Sequence, residues 1–245
     1  MNRVLAAAMA AFATAALAAP PADVPIGKFS SAAVGEEIPK GWEKVTLPYG
    51  KKSEFRIVED GPTHVLQVRS AASFGSLAFR LSENADKAPI LSWRWKVDHV
   101  VDKARIETKE GEDFAARVYV AFDIPESELS TGDRTKIKMA QVVQGFVPTA
   151  AICYVWDNKH PVGTSVQSPY FTHVRTVVLQ TGNGRAGQWV KESRDVEADF
   201  VAAFGARWKG KVPKISGVIT GNDTDQTGET VTAWFGDLQL GPRRK

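Results

Sequence analysis

The sequence lacks the residues and motifs on which several common chemistries depend. Its single cysteine, Cys153, lies in the apolar run AAICYVW, which excludes an intrachain disulfide and predicts a buried, inert thiol. The four histidines have no spacing typical of metal ligands, and neither a G-x-S-x-G elbow nor a P-loop occurs. We therefore expect neither a zinc centre, nor a serine-hydrolase elbow, nor a P-loop nucleotide site.

The charge has no strong bias toward either sign. Lysine and arginine number 31 against 28 acidic residues, which gives a formal net charge of +3. The basic cluster is confined to the tail Arg243-Arg244-Lys245, and three residues do not make a nucleic-acid surface. We expect no nucleic-acid partner.

The sequence has one long apolar run, at the N-terminus, and no second run of that length. Residues 4–17 are apolar except for Thr14, Arg3 precedes them, and Ala16-Leu17-Ala18 fits the small-x-small rule of signal peptidase. The run is too short for a bilayer, which needs about 20 residues. We predict a signal peptide over residues 1–18 and a periplasmic or secreted bacterial protein without a transmembrane segment after cleavage.

The remaining chain is predicted to form one domain. We expect a flexible segment at 19–27, a single β-sandwich domain at 28–241 and a basic tail at 242–245. This length can form a full hydrophobic core without disulfides. The sequence does not indicate the oligomeric state.

Most of the chain reads as short strands separated by turn residues. Segment 90–97 alternates, with Leu91, Trp93, Trp95 and Val97 on one face. Segment 113–122 alternates in the same way, and 133–144 and 195–205 have helical patterns. The pattern predicts a mainly all-β, two-sheet, jelly-roll-like β-sandwich with one or two short helices.

Several motifs together resemble one family. They are LSWRWKV (91–97), EDFAARVYVAF (112–122), YVW (154–156), SPY (168–170), RDVEADFVAAFG (194–205) and GNDTDQTGETVTAWFGDLQL (221–240). The set is similar to the exported bacterial domain-of-unknown-function family 3047 over roughly residues 28 to 241. More loosely, the layout resembles galactose-binding-like jelly rolls used as carbohydrate-binding modules. The family carries no established activity, and the looser likeness implies saccharide binding.

The main candidate for ligand binding is a polar strand face. Its predicted members are Arg94, Lys96, Arg117 and Tyr119, joined by Arg175 if its strand lies nearby. Arginines on a concave sheet would bind carboxylates or sulfates in a bidentate manner, which points to a saccharide or another anionic ligand. A solvated face with cross-strand ion pairs explains the same residues equally well.

The loop GNDTDQTGE (221–229) resembles half of a calcium hand, with Asp223, Asp225 and Glu229 as oxygen donors. An EF-hand is excluded because Trp234 occupies the twelfth position, where a glutamate is required. Turn chemistry explains every residue type, so we expect a hairpin loop before the closing strand and no cofactor. A Ca²⁺ site of another type is the alternative.

Seven tryptophans also favour a carbohydrate function, because exposed rings stack on sugar faces. Trp93 and Trp95 are expected in the core, whereas Trp42, Trp189 and Trp208 are candidates for exposed rings. Carboxylates for glycoside hydrolysis could come from Glu112-Asp113, Glu192 or Glu229.

Three hypotheses about function follow. The first is an exported, non-catalytic binding protein for a saccharide or an anionic envelope glycan. The second is a hydrolase or lyase that acts on polysaccharide, the lyase using Tyr119 with Arg117. The third is a structural envelope protein without a small ligand.

Overall fold

A computed structural model describes residues 23–144, 146–205, 208 and 210–244. The predicted signal peptide at 1–18 lies outside the described residues. So do residues 19–22 of the N-terminal segment and Lys245 of the tail.

The described chain consists mainly of strands. Fifteen strands, β1 to β15, span Val24–Ile26, Trp42–Val45, Lys51–Lys52, Glu54–Asp60, Thr63–Ala71, Ser73–Glu83, Ile90–Val97, Phe114–Phe122, Ala150–Asp157, Ser165–Gln167, Val174–Thr181, Val190–Asp195, Ile215–Asp223, Thr230–Phe235 and Leu238–Gly241. Two α-helices, α1 and α2, span Thr131–Gln144 and Val196–Phe204.

The strands form two sheets. The seven-stranded sheet has the order β1-β15-β7-β14-β5-β4, with β12 also paired to β7. The eight-stranded sheet has the order β10-β11-β9-β8-β13-β6-β2, with β3 also paired to β6. The protein is therefore a two-sheet, jelly-roll-like β-sandwich with two short helices, as the sequence pattern predicts.

The core between the sheets follows from the alternation along β7. Leu91, Trp93, Trp95 and Val97 are buried, and the residues between them are only partly buried. The Trp93 ring lies 5.5 Å from the ring of Tyr154 on β9, and the Trp95 ring lies 6.0 Å from that of Trp156. This aromatic seam joins the two sheets, which confirms the core positions predicted for both tryptophans.

The helices cover ends and faces of the sandwich rather than forming a layer of their own. Asp195 caps α2 by accepting a hydrogen bond from the Ala198 N–H at 3.0 Å, and Phe200 packs 4.7 Å from the ring of Phe122. Helix α1 is mostly polar, and Ile137 is its buried anchor. No helix among the described residues has both the length and the apolar character needed to cross a bilayer.

The 221–229 segment is not the hairpin loop that turn chemistry suggests. Strand β13 pairs with β6 and β8, whereas β14 pairs with β5 and β7. The segment therefore passes from one sheet to the other. Strand β13 also runs through Asp223, so the first half of the motif is strand rather than loop.

Candidate ligand-binding site

Strand β8 presents Arg117 and Tyr119 on the outer face of the eight-stranded sheet. In register, Arg117 lies opposite Gly221 on β13 and Val155 on β9. Tyr119 lies opposite Ile219 and Cys153 in the same two strands. Both side chains point away from the inter-sheet core, because their neighbours Val118 and Val120 pack into it.

Arg117 forms a buried ion pair with Asp223. Its Nη1 donates to Asp223 Oδ2, and the two side chains are only 4% and 3% exposed. Asp223 Oδ1 also accepts from the Phe114 N–H at 3.0 Å. Burial opposes the charge of Arg117, but the carboxylate of Asp223 outweighs it and holds the pKa of the guanidinium above its usual value. Arg117 therefore stays charged and already has an anionic partner.

Two further carboxyl groups, of Asp113 and Asp225, lie beside this ion pair. Oxygens of Asp113, Asp223 and Asp225 all lie within 4.8 Å of one another. Asp113 is buried and accepts from the Thr227 N–H at 2.7 Å and, more weakly, from the Gln226 N–H at 3.5 Å. Asp225 is exposed and accepts from Gln226 Nε2 at 2.8 Å. Three carboxyl groups therefore lie close together beside Arg117, and burial is the largest cause that raises the pKa of each.

Glu112 lies directly before Asp113 and is half-buried. Its Oε1 accepts a hydrogen bond from Ser168 Oγ at 2.8 Å. Burial raises the pKa of Glu112 to about 6, against the opposing effects of the Ser168 hydrogen bond and the charge of Arg117. A carboxyl group whose pKa is close to neutral can act as either a proton donor or an acceptor.

One cavity of about 380 Å³ is lined by Glu112, Arg117, Tyr119, Asp223 and Asp225. Its volume is within the range of about 300–1,000 Å³ typical of small-ligand sites. Aromatic rings from several segments contribute to its wall: Tyr49, Phe74, Tyr119, Phe146, Tyr170 and Phe171. An apolar wall with a few convergent polar groups is the usual composition of a ligand pocket.

The cavity has a cover of its own. Asp133 and Ile137 of α1 line it, as do residues of the segment 168–174. Tyr170 anchors that segment, because its hydroxyl donates to the Lys109 carbonyl at 2.8 Å. Thr172 Oγ1 bonds Asp133 Oδ1 at 3.3 Å and so links the segment to the helix. The cover turns an open sheet face into a pocket.

The structure does not bring the predicted polar face together. Arg94 and Lys96 lie on β7 of the seven-stranded sheet, and Arg117 and Tyr119 lie on β8 of the other sheet. Arg175 pairs with Ile152, whose side chain packs into the inter-sheet core, so it projects from the opposite face to Arg117. The prediction of one shared face is wrong, because alternation determines the face of a strand but not its sheet. The binding role of each residue stays a prediction.

Arg94 and Lys96 form a separate patch with Asp60, Trp189 and Trp234. Asp60 accepts from Arg94 Nη2 at 3.2 Å and from Trp189 Nε1 at 3.1 Å, and lies 3.8 Å from Lys96 Nζ. The Arg94 guanidinium lies 4.2 Å from the centre of the Trp189 ring, and Lys96 Nζ lies 4.7 Å from that of Trp234. We call these five residues the tryptophan patch.

The predicted metal set Asp223, Asp225 and Glu229 is not assembled. Glu229 instead accepts hydrogen bonds from the N–H groups of Asp102 and Lys103, at 3.0 and 2.8 Å, and Asp113 takes its place beside the other two carboxylates. The carboxylates of Asp113 and Asp223 already accept hydrogen bonds from backbone N–H groups, and Asp223 also accepts one from Arg117. Ca²⁺ binding itself stays a prediction.

Among the candidates for exposed rings, the prediction for Trp42 is wrong. It is 6% exposed and stacks 5.0 Å from the Phe29 ring. Trp189 and Trp208 are partly buried. Cys153 is buried as expected, and burial raises the pKa of its thiol.

Sequence reasoning did not identify most of the cavity wall. Phe74, Phe146 and Tyr170 come from three separate segments, so no local spacing links them. Tyr170 belongs to the SPY motif, which carries part of the family resemblance without indicating a role. The sequence predicts Glu112 and Asp113 only as candidate carboxylates, because it does not give their distance from a second acidic group.

Fold and site together define a jelly-roll-like β-sandwich with a covered, acidic, aromatic-lined cavity on one outer sheet face. The chain belongs to the family described as "Protein of unknown function (DUF3047)", which matches residues 40–239. No curated protein matches the chain.

Solved structures of similar layout have low sequence identity to this chain. The xyloglucanase domain of NopAA from Sinorhizobium fredii is 10% identical, with a TM-score of 0.45, covering 87% of this chain and 100% of that one. Endoglucanase cel12A from Rhodothermus marinus is 10% identical, with a TM-score of 0.44 and coverage of 84% and 96%. The family 30 carbohydrate-binding module of a Clostridium thermocellum cellulosomal cellulase is 12% identical, with a TM-score of 0.39 and coverage of 91% and 99%.

Proposed function

We propose that this protein binds a saccharide in the covered cavity of the eight-stranded sheet. The observation that carries the proposal is the convergence of aromatic rings with hydrogen-bonding carboxylates in one pocket. The C–H faces of a sugar ring pack on aromatic rings. Its hydroxyl groups donate charge-assisted hydrogen bonds to carboxylates such as Glu112 and Asp225.

Tyr119 adds a donor to this set. Burial raises the pKa of its phenol well above the usual value, so the hydroxyl stays protonated and can donate to a sugar oxygen. The same neutrality makes Tyr119 a poor general base. Because Arg117 is also committed to Asp223, the Tyr119–Arg117 lyase hypothesis loses its support.

Binding is tested by calorimetric titration with glucose-, xylose- and galactose-based oligosaccharides. Phe146→Ala and Tyr170→Ala should each weaken binding by about tenfold, equivalent to roughly 1.4 kcal/mol. Trp189→Ala, in the tryptophan patch, is the matched control and should leave the affinity unchanged. If no saccharide binds, or if only Trp189→Ala abolishes binding, the proposed site is wrong.

Hydrolysis is a second candidate, favoured by the pKa of about 6 at Glu112. Glu112 would donate its proton to the glycosidic oxygen as the bond between that oxygen and the anomeric carbon breaks. Water would add to the anomeric carbon and pass a proton to Asp225, and proton exchange with solvent would then restore both carboxyl groups. Each product sugar would then carry a new hydroxyl group. Release of reducing ends that Glu112→Gln abolishes would support this function, and its absence with every bound saccharide would leave binding alone.

We also propose that the protein is exported, on the strength of the signal-peptide pattern at residues 1–18. N-terminal sequencing of the protein recovered from a periplasmic fraction should begin at Ala19. Recovery of the uncleaved chain in the cytoplasm would contradict export.

A further inference from the structure

The charges around the cavity are unbalanced. Four carboxylates line it, from Glu112, Asp133, Asp223 and Asp225, and the cationic or titratable nitrogen groups in the lining are those of Arg117 and His173. Asp113 adds a further carboxylate behind the wall. The wall therefore carries a clear excess of negative charge.

Two of the lining carboxylates already have charge partners. Asp223 forms an ion pair with Arg117. Asp133 lies 3.8 Å from His173 Nδ1 and accepts hydrogen bonds from Ser130 Oγ and Thr172 Oγ1. Both of these carboxylates are thus satisfied within the protein.

Glu112 and Asp225 differ from the other two. Within the part of the chain that the structure describes, neither forms an ion pair, and their hydrogen-bond donors are the neutral groups Ser168 Oγ and Gln226 Nε2. Burial is the largest cause of the raised pKa at both residues. At each carboxylate the cost of burial exceeds the attraction of the nearby Arg117 charge, and neither has a cation in direct contact among the described residues.

Glu112, Tyr170 and Asp225 all line the cavity. Ser168 links the first two, because its Oγ donates to Glu112 Oε1 at 2.8 Å and accepts from the Tyr170 N–H at 3.2 Å. The pKa of Tyr170 is accordingly raised by burial and then by the charges of Glu112 and Asp225. A cation bound beside Tyr170 would therefore interact favourably with both groups at once. An anion there would face both carboxylates, whereas Arg117 is already paired with Asp223.

Building on the saccharide-binding function proposed above, we propose that the preferred ligand is a cationic, amine-bearing saccharide whose ammonium group contacts Glu112 and Asp225. The ammonium supplies the charge partner that the two carboxylates lack, through charge-assisted hydrogen bonds. The sugar ring packs against the aromatic wall. This inference replaces the anionic glycan that the arginine pattern suggests.

Three β-1,4-linked oligosaccharides of equal length provide a matched test. Glucose, N-acetylglucosamine and glucosamine oligomers carry a hydroxyl, an acetamide and an amine, respectively, at the same carbon. Titrated at about pH 7, where both Asp and Glu are mainly ionised, the glucosamine oligomer should bind at least about tenfold more tightly, or roughly 1.4 kcal/mol. Added salt should weaken only this ligand.

Two variants test whether Glu112 and Asp225 cause the preference for the glucosamine oligomer. Glu112→Gln and Asp225→Asn should each reduce the affinity for the glucosamine oligomer by a larger factor than the affinity for the glucose oligomer, because the ammonium loses its charge partner whereas a hydroxyl keeps a neutral acceptor. Asp225 is exposed, so its variant folds even if the Glu112 variant does not. Asp60→Asn in the tryptophan patch is the control carboxylate and should have no effect on either ligand.

The outcomes separate the two proposals. Equal or tighter binding of the neutral oligomers overturns the cationic ligand but leaves saccharide binding intact. Binding of none of the three, nor of any other saccharide, overturns both. A preference for glucosamine that survives both Glu112→Gln and Asp225→Asn overturns the assignment to these carboxylates.

Discussion

The two outer sheet faces of this sandwich carry similar residues in opposite environments. On the seven-stranded sheet, Arg94 and Lys96 share Asp60 beside tryptophan rings, and these charged side chains remain 20–29% exposed. On the eight-stranded sheet, Arg117 pairs with Asp223 at 4% and 3% exposure. The chemistry of a strand face is therefore set by what covers it as much as by its residues.

The covering elements explain the difference. Helix α1 and the segment 168–174 line the same cavity as Arg117 and Tyr119 and reduce the exposure of this part of the sheet to solvent. In a region of low dielectric, charges interact strongly and each carboxylate needs a partner. In the partly exposed tryptophan patch, Arg94 and Lys96 share the carboxylate of Asp60 and also reach solvent. In the covered cavity, Glu112 and Asp225 form no ion pair with any described residue.

Replacing one arginine on each face should give the largest difference between the two faces in the free energy of unfolding. Arg117→Met leaves Asp223 buried without a partner and should lower the free energy of unfolding by about 3–5 kcal/mol. Arg94→Met removes a partly exposed pair that Lys96 can replace, and should lower it by about 1 kcal/mol or less. Urea denaturation measures both values, and similar losses would erase the proposed distinction.

Removing the charge at Glu112 should stabilise the protein in a pH-dependent way. The pKa of Glu112 is about 6 in the folded protein against a usual 4.5, so the folded state holds the proton more tightly than the unfolded state. Wild-type stability therefore falls as pH rises from about 4.5 to 6, by about 2 kcal/mol in total. Glu112→Gln should be more stable than wild type by about this amount at higher pH.

Chemical denaturation at a pH below 4.5 and at a pH above 6 tests the predicted direction of this pH dependence. The two proteins should be equally stable at the lower pH, where wild-type Glu112 is also neutral. Asp60→Asn on the open face serves as the comparison. A Glu112→Gln variant that is less stable than wild type at the higher pH would show that the carboxylate is not strained by burial.

The burial pattern and strand pairing also show which features the sequence can predict. Strands β7 and β8 occupy the predicted positions, and alternation correctly assigns Trp93 and Trp95 to the core. Strand β12 is mostly polar and has no apolar period, so no local pattern predicts it. Local patterns thus predict elements that bury one apolar face.

The site depends on contacts that no local pattern encodes. Phe114 and Asp223 are 109 residues apart, yet the Phe114 N–H donates to the Asp223 carboxylate, and Asp113 therefore lies beside the 223–225 segment. Sheet membership likewise separates Arg94 from Arg117, although both strands have the same alternation. The register of β8 against β13 therefore determines the site, and that register is a property of the whole fold.

Tryptophan fluorescence should distinguish the faces during ligand binding. None of the described residues that line the cavity is a tryptophan, whereas Trp189 and Trp234 are partly exposed on the other face. A saccharide bound in the cavity should leave acrylamide quenching of tryptophan unchanged. Protection from quenching that disappears in Trp189→Ala would place the ligand on the tryptophan patch.

Calcium should have the smallest effect. Asp113 and Asp223 already accept hydrogen bonds from backbone N–H groups and Arg117, so a cation would have to displace these donors. We expect no measurable heat when Ca²⁺ is titrated into the protein. Heat that Asp225→Ala removes would instead identify a calcium site at the 221–229 segment.

A crystal structure with the tightest-binding oligosaccharide tests the central claim most directly. The account predicts sugar density in the covered cavity, with the ring against Phe146 or Tyr170 and a polar substituent at Glu112. Density on the tryptophan patch, with an empty cavity beneath α1, would contradict it.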